Sequence, residues 1–269
     1  MGTLVRLLTI LNNAKDSSTH YHIAEILLKN FARLENMTIV EIAELCFVSK
    51  STISKFIRYM GYEDFAEFKT SAAYRSDCQS NRLNYNDNIL GYMKSHTKEE
   101  YIDLIIRDLE LAKSGIDMKK INEVAGDLMR YEKIAAFGIM YSESAALDFQ
   151  MKLAYSGKYI ISYLDEEEQY SFIKKAEEDT LIIIFSNSGD YIKKYQFVKP
   201  YIHKNIFRQT KAKVVIITGN KEMEKYPDID LCICLEHSSE VQTHQVLFQV
   251  TTDLIASNYR KRIEEIKMV

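Results

Sequence analysis

Residues 38–56 read TIVEIAELCFVSKSTISKF. Ile39, Ile42, Ala43 and Cys46 keep a helical spacing, a short break follows, and Ile53, Phe56, Ile57 and Met60 resume the spacing. The pattern predicts a helix, a turn and a second helix. Ala43 is small enough to let the two helices cross closely, and Val48, Ile53 and Phe56 are expected to fill the core beneath the crossing. The outer face of the second helix carries only hydrogen-bonding groups and cations: Ser49, Lys50, Ser51, Thr52, Ser54, Lys55, Arg58 and Tyr59, with no acidic residue between Ser49 and Met60. A helix that enters a DNA major groove needs this composition, with short hydroxyls near its N-terminus for base edges and phosphates and long cations for the backbone. An ordinary solvated helix usually mixes both signs of charge. The predicted DNA-binding residues are therefore Ser49, Lys50, Ser51, Thr52, Ser54, Lys55 and Arg58.

Outward from this segment, helical patterning without strand signals runs from about Leu4 to Tyr74 and includes Ile23, Ile26 and Leu27 on one stripe. From Ser76 to about Tyr85 the chain turns polar, as a linker would. The net charge is −3, but residues 1–76 hold nine Lys/Arg against eight Asp/Glu, so a DNA-binding surface has to be a local patch on the first part of the chain. With 269 residues, two cores are expected. The boundaries drawn are 1–76 for an all-α DNA-binding domain, 77–115 for a linker and connecting helix, and 116–269 for a second domain.

In the connecting region Ile102, Ile105, Ile106 and Leu109 predict one helix, and after Gly115 a second carries Ile121, Val124, Ala125 and Leu128. After Glu132 short apolar runs alternate with helical stretches. Strands are expected at 134–137, 159–161, 181–185, 214–218 and 231–235, with a long last helix from Val241 to about Ile266. Strand and helix in alternation imply βαβ units: a parallel sheet with helices on both faces. The fold class is thus α followed by α/β. No apolar run approaches the roughly 18 residues of a membrane span, and no signal peptide is read, so a cytoplasmic protein without membrane partners is expected. Cys46, Cys78, Cys232 and Cys234 lack metal-ligand spacing, so neither a metal nor another cofactor is called for.

Two strand ends carry hydroxyl-rich loops that run into helices, Gly138 to Ser144 and Ser186-Asn187-Ser188-Gly189-Asp190. Ligands of open parallel sheets bind at the carboxyl ends of strands, where serine hydroxyls and backbone NH groups suit a phosphate. The competing reading is that these serines only cap helices. The 186–190 loop, with two serines and a glycine at one strand end, favours a ligand.

The core 48–56, VSKSTISKF, and the following 61–69, GYEDFAEFK, resemble the RpiR family of bacterial regulators, whose tail has the form Gly-aromatic-x-x-Phe-x-x-Phe-Lys. Residues 121–255 resemble the sugar isomerase (SIS) domain that this family carries behind its DNA-binding domain, through the 186–190 loop and through Gly138 with Ser142. The resemblance implies a regulator whose affinity for a double-stranded DNA operator responds to a phosphorylated sugar. It implies that Ser142, Ser186 and Ser188 contact the phosphate while Asn187 and Gly189 shape the loop. A two-fold DNA site requires two heads, and the α/β half carries enough apolar helix surface to pair, so a homodimer or homotetramer assembled largely through the C-terminal domain is expected. Three departures stand out. Phe47 occupies the turn position that is usually glycine, which puts the turn geometry in question, since left-handed backbone is costly for phenylalanine. Met140 and Tyr191 replace a glycine and a threonine with bulkier groups, and bear on whether the pocket is narrowed, altered or lost.

SIS domains also occur in isomerases, which need a base to move a proton between adjacent carbons. Glu236, His237, Glu240 and His244 lie near the start of the last helix, but none sits in a specific motif, and a DNA-binding domain has no purpose in a simple isomerase. No catalytic residue is assigned, and a regulator is expected rather than an enzyme. A scaffold with a vestigial pocket is the alternative, with a sugar-phosphate isomerase behind it.

Overall fold

The computed structural model describes residues 3–73, 89, 91–139, 141–193, 206–237, 241 and 244–267. These divide into two compact units, one holding residues 3–73 and the other beginning at 89. The linker expected at 76–85 lies outside the described residues, as does Met140.

The first unit contains α1 (Thr3–Asn13), α2 (Thr19–Lys29), a 3-10 segment (Phe31–Asn36), α3 (Ile39–Leu45), α4 (Lys50–Tyr59) and α5 (Phe65–Ala73). Each helix of the central pair starts on a side-chain cap. Thr38 accepts from the Glu41 backbone NH while the Glu41 carboxylate returns to the Thr38 NH, and Ser49 accepts from the NH of Thr52. Ile42, Ala43, Cys46, Ile53, Phe56 and Ile57 are buried together with Leu7, Ile23, Leu27, Leu34 and Phe68. The expected crossing is present, and Val48 packs against its rim.

Between α3 and α4, Phe47 adopts φ 54°, so the left-handed turn survives the loss of glycine and keeps its geometry. Two hydrogen bonds hold it, from Val48 N to Ala43 O (3.0 Å) and from Phe47 N to Glu44 O (3.1 Å), the pair that closes a Schellman helix end. The same pair closes α4, from Tyr62 N to Ile57 O and from Gly61 N to Arg58 O, with Gly61 at φ 85°. At Gly61 glycine removes the strain. At Phe47 nothing does, and the ring is 90% exposed. Phe47→Gly is therefore expected to stabilise this unit by about 1 kcal/mol, since left-handed backbone costs an L-residue roughly 1–2 kcal/mol and glycine returns part of that as unfolded-chain entropy. Urea unfolding of the full chain measures it, and an unchanged midpoint would contradict the strain.

The second unit opens with one turn, α6 (Gly91–Met93), and with α7 (Lys98–Gly115) and α8 (Met118–Arg130). The buried face of α7 is not the expected stripe. Leu104, Asp108 and Ala112 turn inward, whereas Ile102 and Ile106 are about half exposed. The remaining elements are β1 (Lys133–Gly138), α9 (Tyr141–Ala154), α10 (Glu166–Lys175), β2 (Thr180–Phe185), α11 (Asp190–Lys193), α12 (Ile206–Gln209), β3 (Lys213–Thr218), a 3-10 turn (Lys221–Lys225), β4 (Leu231–Cys234) and α13 (His244–Lys267). Among the described residues the sheet has four strands in the order β1-β2-β3-β4, all parallel. Alternation sends Ile134, Ala136, Leu181, Ile183, Phe185, Val215 and Ile217 into one core with α8, α9 and α13. On the opposite face Phe137 lies edge-on to Phe172 of α10, and α10 packs on α12.

The strand expected at 159–161 is reduced to one parallel bridge between Ile161 and Ala135, closed by two backbone bonds of 2.8 and 2.9 Å. Tyr159 is exposed, and Asp165 already caps α10, so the chain has no length in which to extend the pairing. The last helix starts at His244, three residues after the expected Val241.

Candidate nucleic-acid interface and strand-end site

On α4 the helical period puts Ser51, Lys55, Arg58 and Tyr59 on one outward stripe, with Lys50 and Ser54 beside it. Ser49, Lys50, Ser51, Lys55 and Arg58 are exposed, and Thr52 and Ser54 are half-buried. The hydroxyls of Ser49, Ser51 and Thr52 form a cluster at the helix start, with Ser49 Oγ 2.9 Å from Ser51 Oγ and 2.8 Å from Thr52 Oγ1. Among the described residues no carboxylate is paired with Lys50, Lys55 or Arg58. Three unneutralised cations on a rigid, capped helix make a surface suited to a polyanion. Tyr59 at the far end stacks on His20 of α2, with ring centroids 4.2 Å apart, which fixes the end of the stripe to the scaffold.

In the second unit the strands end in register. Gly138 pairs with Phe185, Phe185 with Ile217, and Thr218 with Cys234, so the loops that follow leave the sheet at one edge. Ser142 is buried in the first turn of α9, and only glycine fits at 138, because a Cβ there would lie 2.4 Å from the Ser142 carbonyl oxygen. In the adjacent loop Ser186 Oγ accepts from the Tyr191 NH (3.3 Å) and Ser188 Oγ from the Asp190 NH (3.2 Å). Both serines therefore act as local caps. Each hydroxyl still carries its own hydrogen, which an acceptor such as a phosphate oxygen could take. Gly189 turns the chain at φ 77°, and a Cβ there would lie 2.5 Å from Met223 Sδ.

The β3 end pins this loop. Asn187 O accepts from Gly219 N (3.0 Å) and from Thr218 Oγ1 (3.0 Å), Ser186 N donates to Ile217 O (3.1 Å), and Asn220 Nδ2 donates to Ser188 O (2.8 Å). Asn187 is 6% exposed, and its Oδ1 is buried without a hydrogen-bond partner among the described residues. A buried carbonyl-type acceptor left unmatched costs roughly 1–3 kcal/mol. His237, which follows β4, reaches the same place. An ideal Cβ on Gly219 would lie 2.4 Å from Asn187 Oδ1 and 2.5 Å from His237 Nε2.

Tyr191 does not occupy this cradle. It is 2% exposed, its ring lies 5.9 Å from Phe207, and its hydroxyl donates to Oε1 of Gln169 on α10, whose Nε2 donates to Gly138 O and Tyr163 O. Its bulk is absorbed in the α10 and α12 layer. The structure thus brings Ser186, Asn187, Ser188 and Gly189 together beside the strand that leads to Ser142, and adds Thr218, Gly219, Asn220 and His237. Thr218-Gly219-Asn220 carries turn chemistry at a strand end, the signal by which it could have been found. Of the carboxylates and histidines weighed as bases, Glu236 is exposed, 56% by its side chain, and Glu240 lies outside the described residues.

Comparison with known proteins agrees with both halves. Residues 5–76 match the model of the helix-turn-helix domain of the rpiR family, and residues 127–258 match the SIS domain. The chain is an RpiR-type helix-turn-helix protein with a SIS domain. A helix-turn-helix-type transcriptional regulator of Providencia stuartii, itself uncharacterized and encoded in the aarA 3′ region, is 28% identical over 71% of this chain and 67% of its own length. A second such regulator, from Thermotoga maritima, is 22% identical over 87% of this chain and 83% of its own. Among solved structures, the Vibrio vulnificus NanR protein complexed with ManNAc-6P superposes with a TM-score of 0.53 at 16% identity, covering 98% of this chain and 93% of that one. At that identity the likeness concerns the fold. Among the described residues, no helix of this RpiR-type chain is long and apolar enough to cross a membrane.

Proposed function

We propose that this RpiR-type protein is a transcriptional regulator that binds a double-stranded DNA operator through α4 and releases or tightens that grip when a phosphorylated sugar occupies the SIS domain. The observation that carries the reading is the conjunction, on one chain, of an acid-free helix whose Lys50, Lys55 and Arg58 pair with no carboxylate among the described residues and a strand-end cradle in which Asn187 Oδ1 has no partner among them. Ser49, Ser51, Thr52 and Ser54 supply short hydroxyls for base edges and phosphates, and the three cations supply backbone contacts. In the SIS domain the hydroxyls of Ser142, Ser186 and Ser188 are assigned to the phosphate and Asn187 to the sugar, with Gly189 shaping the loop. The names of the Providencia and Thermotoga relatives, and the sugar phosphate held by the Vibrio protein, support this assignment by similarity. The working parts are residues 1–76, 77–115 and 116–269, acting in the cytoplasm as a homo-oligomer on a roughly palindromic site. No catalytic step is assigned.

Calorimetric titration of the full chain with a panel of hexose and amino-sugar phosphates, each beside its unphosphorylated form, tests the sensor half. Binding should require the phosphate, with a preference of at least about tenfold, as charge-assisted hydrogen bonds provide. Repeating the titration in the presence of duplex DNA selected from a random pool should shift sugar affinity by the factor by which the sugar shifts DNA affinity. Absence of binding by every phosphorylated sugar would transfer the SIS domain to the vestigial-pocket reading.

A further inference from the structure

Phe47, in the turn between α3 and α4, is the most exposed large apolar side chain among the described residues. Both of its neighbours are anchored. Cys46 is fully buried and its carbonyl oxygen lies 3.1 Å from His22 Nε2, while Val48 packs on the rim of the core and donates to Ala43 O. Between these two fixed points the residue turns left-handed at φ 54°, and its ring stands in water. Among the described residues it meets no other aromatic ring. Residues held in sparsely populated backbone at a cost to the fold cluster at functional sites.

The place of the ring says which function. Ser49, the N-cap of α4, follows two residues later, so at most about 7 Å of chain separates Phe47 from the cluster of Ser49, Ser51 and Thr52 hydroxyls. A recognition helix presents its N-terminal residues to the base edges of the major groove. The groove offers hydrogen-bond donors and acceptors, with which a phenyl ring makes no bond, and one apolar group, the 5-methyl of thymine.

We infer that Phe47 is a specificity-determining residue of the DNA interface, its ring packing on the methyl group of a thymine beside the bases met by the hydroxyls at the start of α4. The inference rests on the reading of α4 as the DNA-binding helix and adds to it a residue of a different kind. Lys50, Lys55 and Arg58 act on phosphates, so they set the affinity and its dependence on salt. Phe47 is uncharged and releases no counterion. Its contribution is confined to the choice of base, and it disappears when the methyl group does.

The test uses the full chain and duplexes that it selects from a random pool, with each thymine of the selected site replaced in turn by deoxyuridine, which lacks only the 5-methyl. For the parent, one thymine per half-site should cost about fourfold in affinity on replacement, the factor that corresponds to one buried methyl group. Phe47→Gly should bind the thymine form of that duplex at least about fourfold more weakly than the parent does, and should bind its thymine and uracil forms alike. Its salt slope should equal that of the parent, because no cation is removed. Glycine keeps the left-handed turn, so the variant is expected to fold; should it not, Phe47→Asn, which also tolerates that backbone, takes its place. A selected site without thymine overturns the inference, as does a set of thymines that all respond equally in parent and variant. In either case α4 stays on the DNA if Lys55→Ala with Arg58→Ala lowers the salt slope. A parent that binds no duplex at all overturns the DNA-binding reading itself, and the inference with it.

Discussion

Lys55→Ala with Arg58→Ala is expected to weaken binding to duplex DNA about 60-fold per helix-turn-helix head in 0.1 M monovalent salt, and to lower the slope of log K against log salt by about 2. The two figures have one origin. Each phosphate neutralised by a cation releases about 0.9 of a counterion, so deleting one such cation takes about 0.9 from the slope and, at 0.1 M salt, about eightfold from the affinity. Both side chains are exposed and unpaired among the described residues, so their removal leaves no carboxylate without a partner and the fold is unaffected. The loss should be similar on specific and non-specific duplexes, because phosphate contacts position the helix without reading sequence. Replacing Ser51, which stands near the N-terminus of α4, should act in the opposite sense, changing the preferred sequence more than the salt slope. Mobility-shift titrations between 50 and 200 mM salt, an interval chosen because counterion release changes affinity strongly across it, measure both quantities. An unchanged slope in the folded double variant would remove α4 from the interface.

Features decided by neighbours in the chain are legible in the sequence by itself. The crossing of α3 and α4 follows from residues within one 19-residue stretch, and its caps, Thr38 with Glu41 and Ser49, are local chemistry. Strands β1 to β4 are runs of apolar residues long enough to be buried on both faces. The features that periodicity misplaces are decided by tertiary packing. Residues 159–161 have the composition of a strand but meet the sheet only at Ile161, and the inward face of α7 is set by Leu104, Asp108 and Ala112 rather than by its more numerous isoleucines. The candidate sugar site shows the same division. Ser186 to Gly189 stand out as a hydroxyl-rich loop at a strand end, whereas Gly219 and His237 matter only because parallel register brings three loops to one edge, and periodicity carries no record of that.

That register leads to the strongest effect expected in the SIS domain. Gly219→Ala should abolish phosphosugar binding, by at least about 100-fold, while the chain still unfolds cooperatively. The added methyl would sit 2.4 Å from Asn187 Oδ1 and 2.5 Å from His237 Nε2, well inside any allowed contact, so both side chains have to swing away. The atoms struck are side-chain tips rather than backbone, so the shift is confined to these two side chains. Overpacking of this kind typically costs about 1–3 kcal/mol of stability, whereas the site loses the geometry on which charge-assisted hydrogen bonds depend. Asn187→Ala probes the same cradle from the other side. It removes the unmatched buried acceptor, so the roughly 1–3 kcal/mol of uncompensated desolvation disappears and offsets the packing that goes with the amide. Stability should therefore hold within about 1 kcal/mol of the parent or rise, while phosphosugar affinity falls at least about tenfold, the pattern of a group kept for function against the interest of the fold. Thermal unfolding with and without the tightest ligand of the phosphosugar panel reads both effects, since a ligand that binds only the native state stabilises it by RT ln(1 + L/Kd), where L is the free ligand concentration, and raises Tm accordingly. Should Gly219→Ala retain the ligand-induced shift of the parent, Asn187 and His237 do not touch the sugar, and the unmatched oxygen needs another explanation.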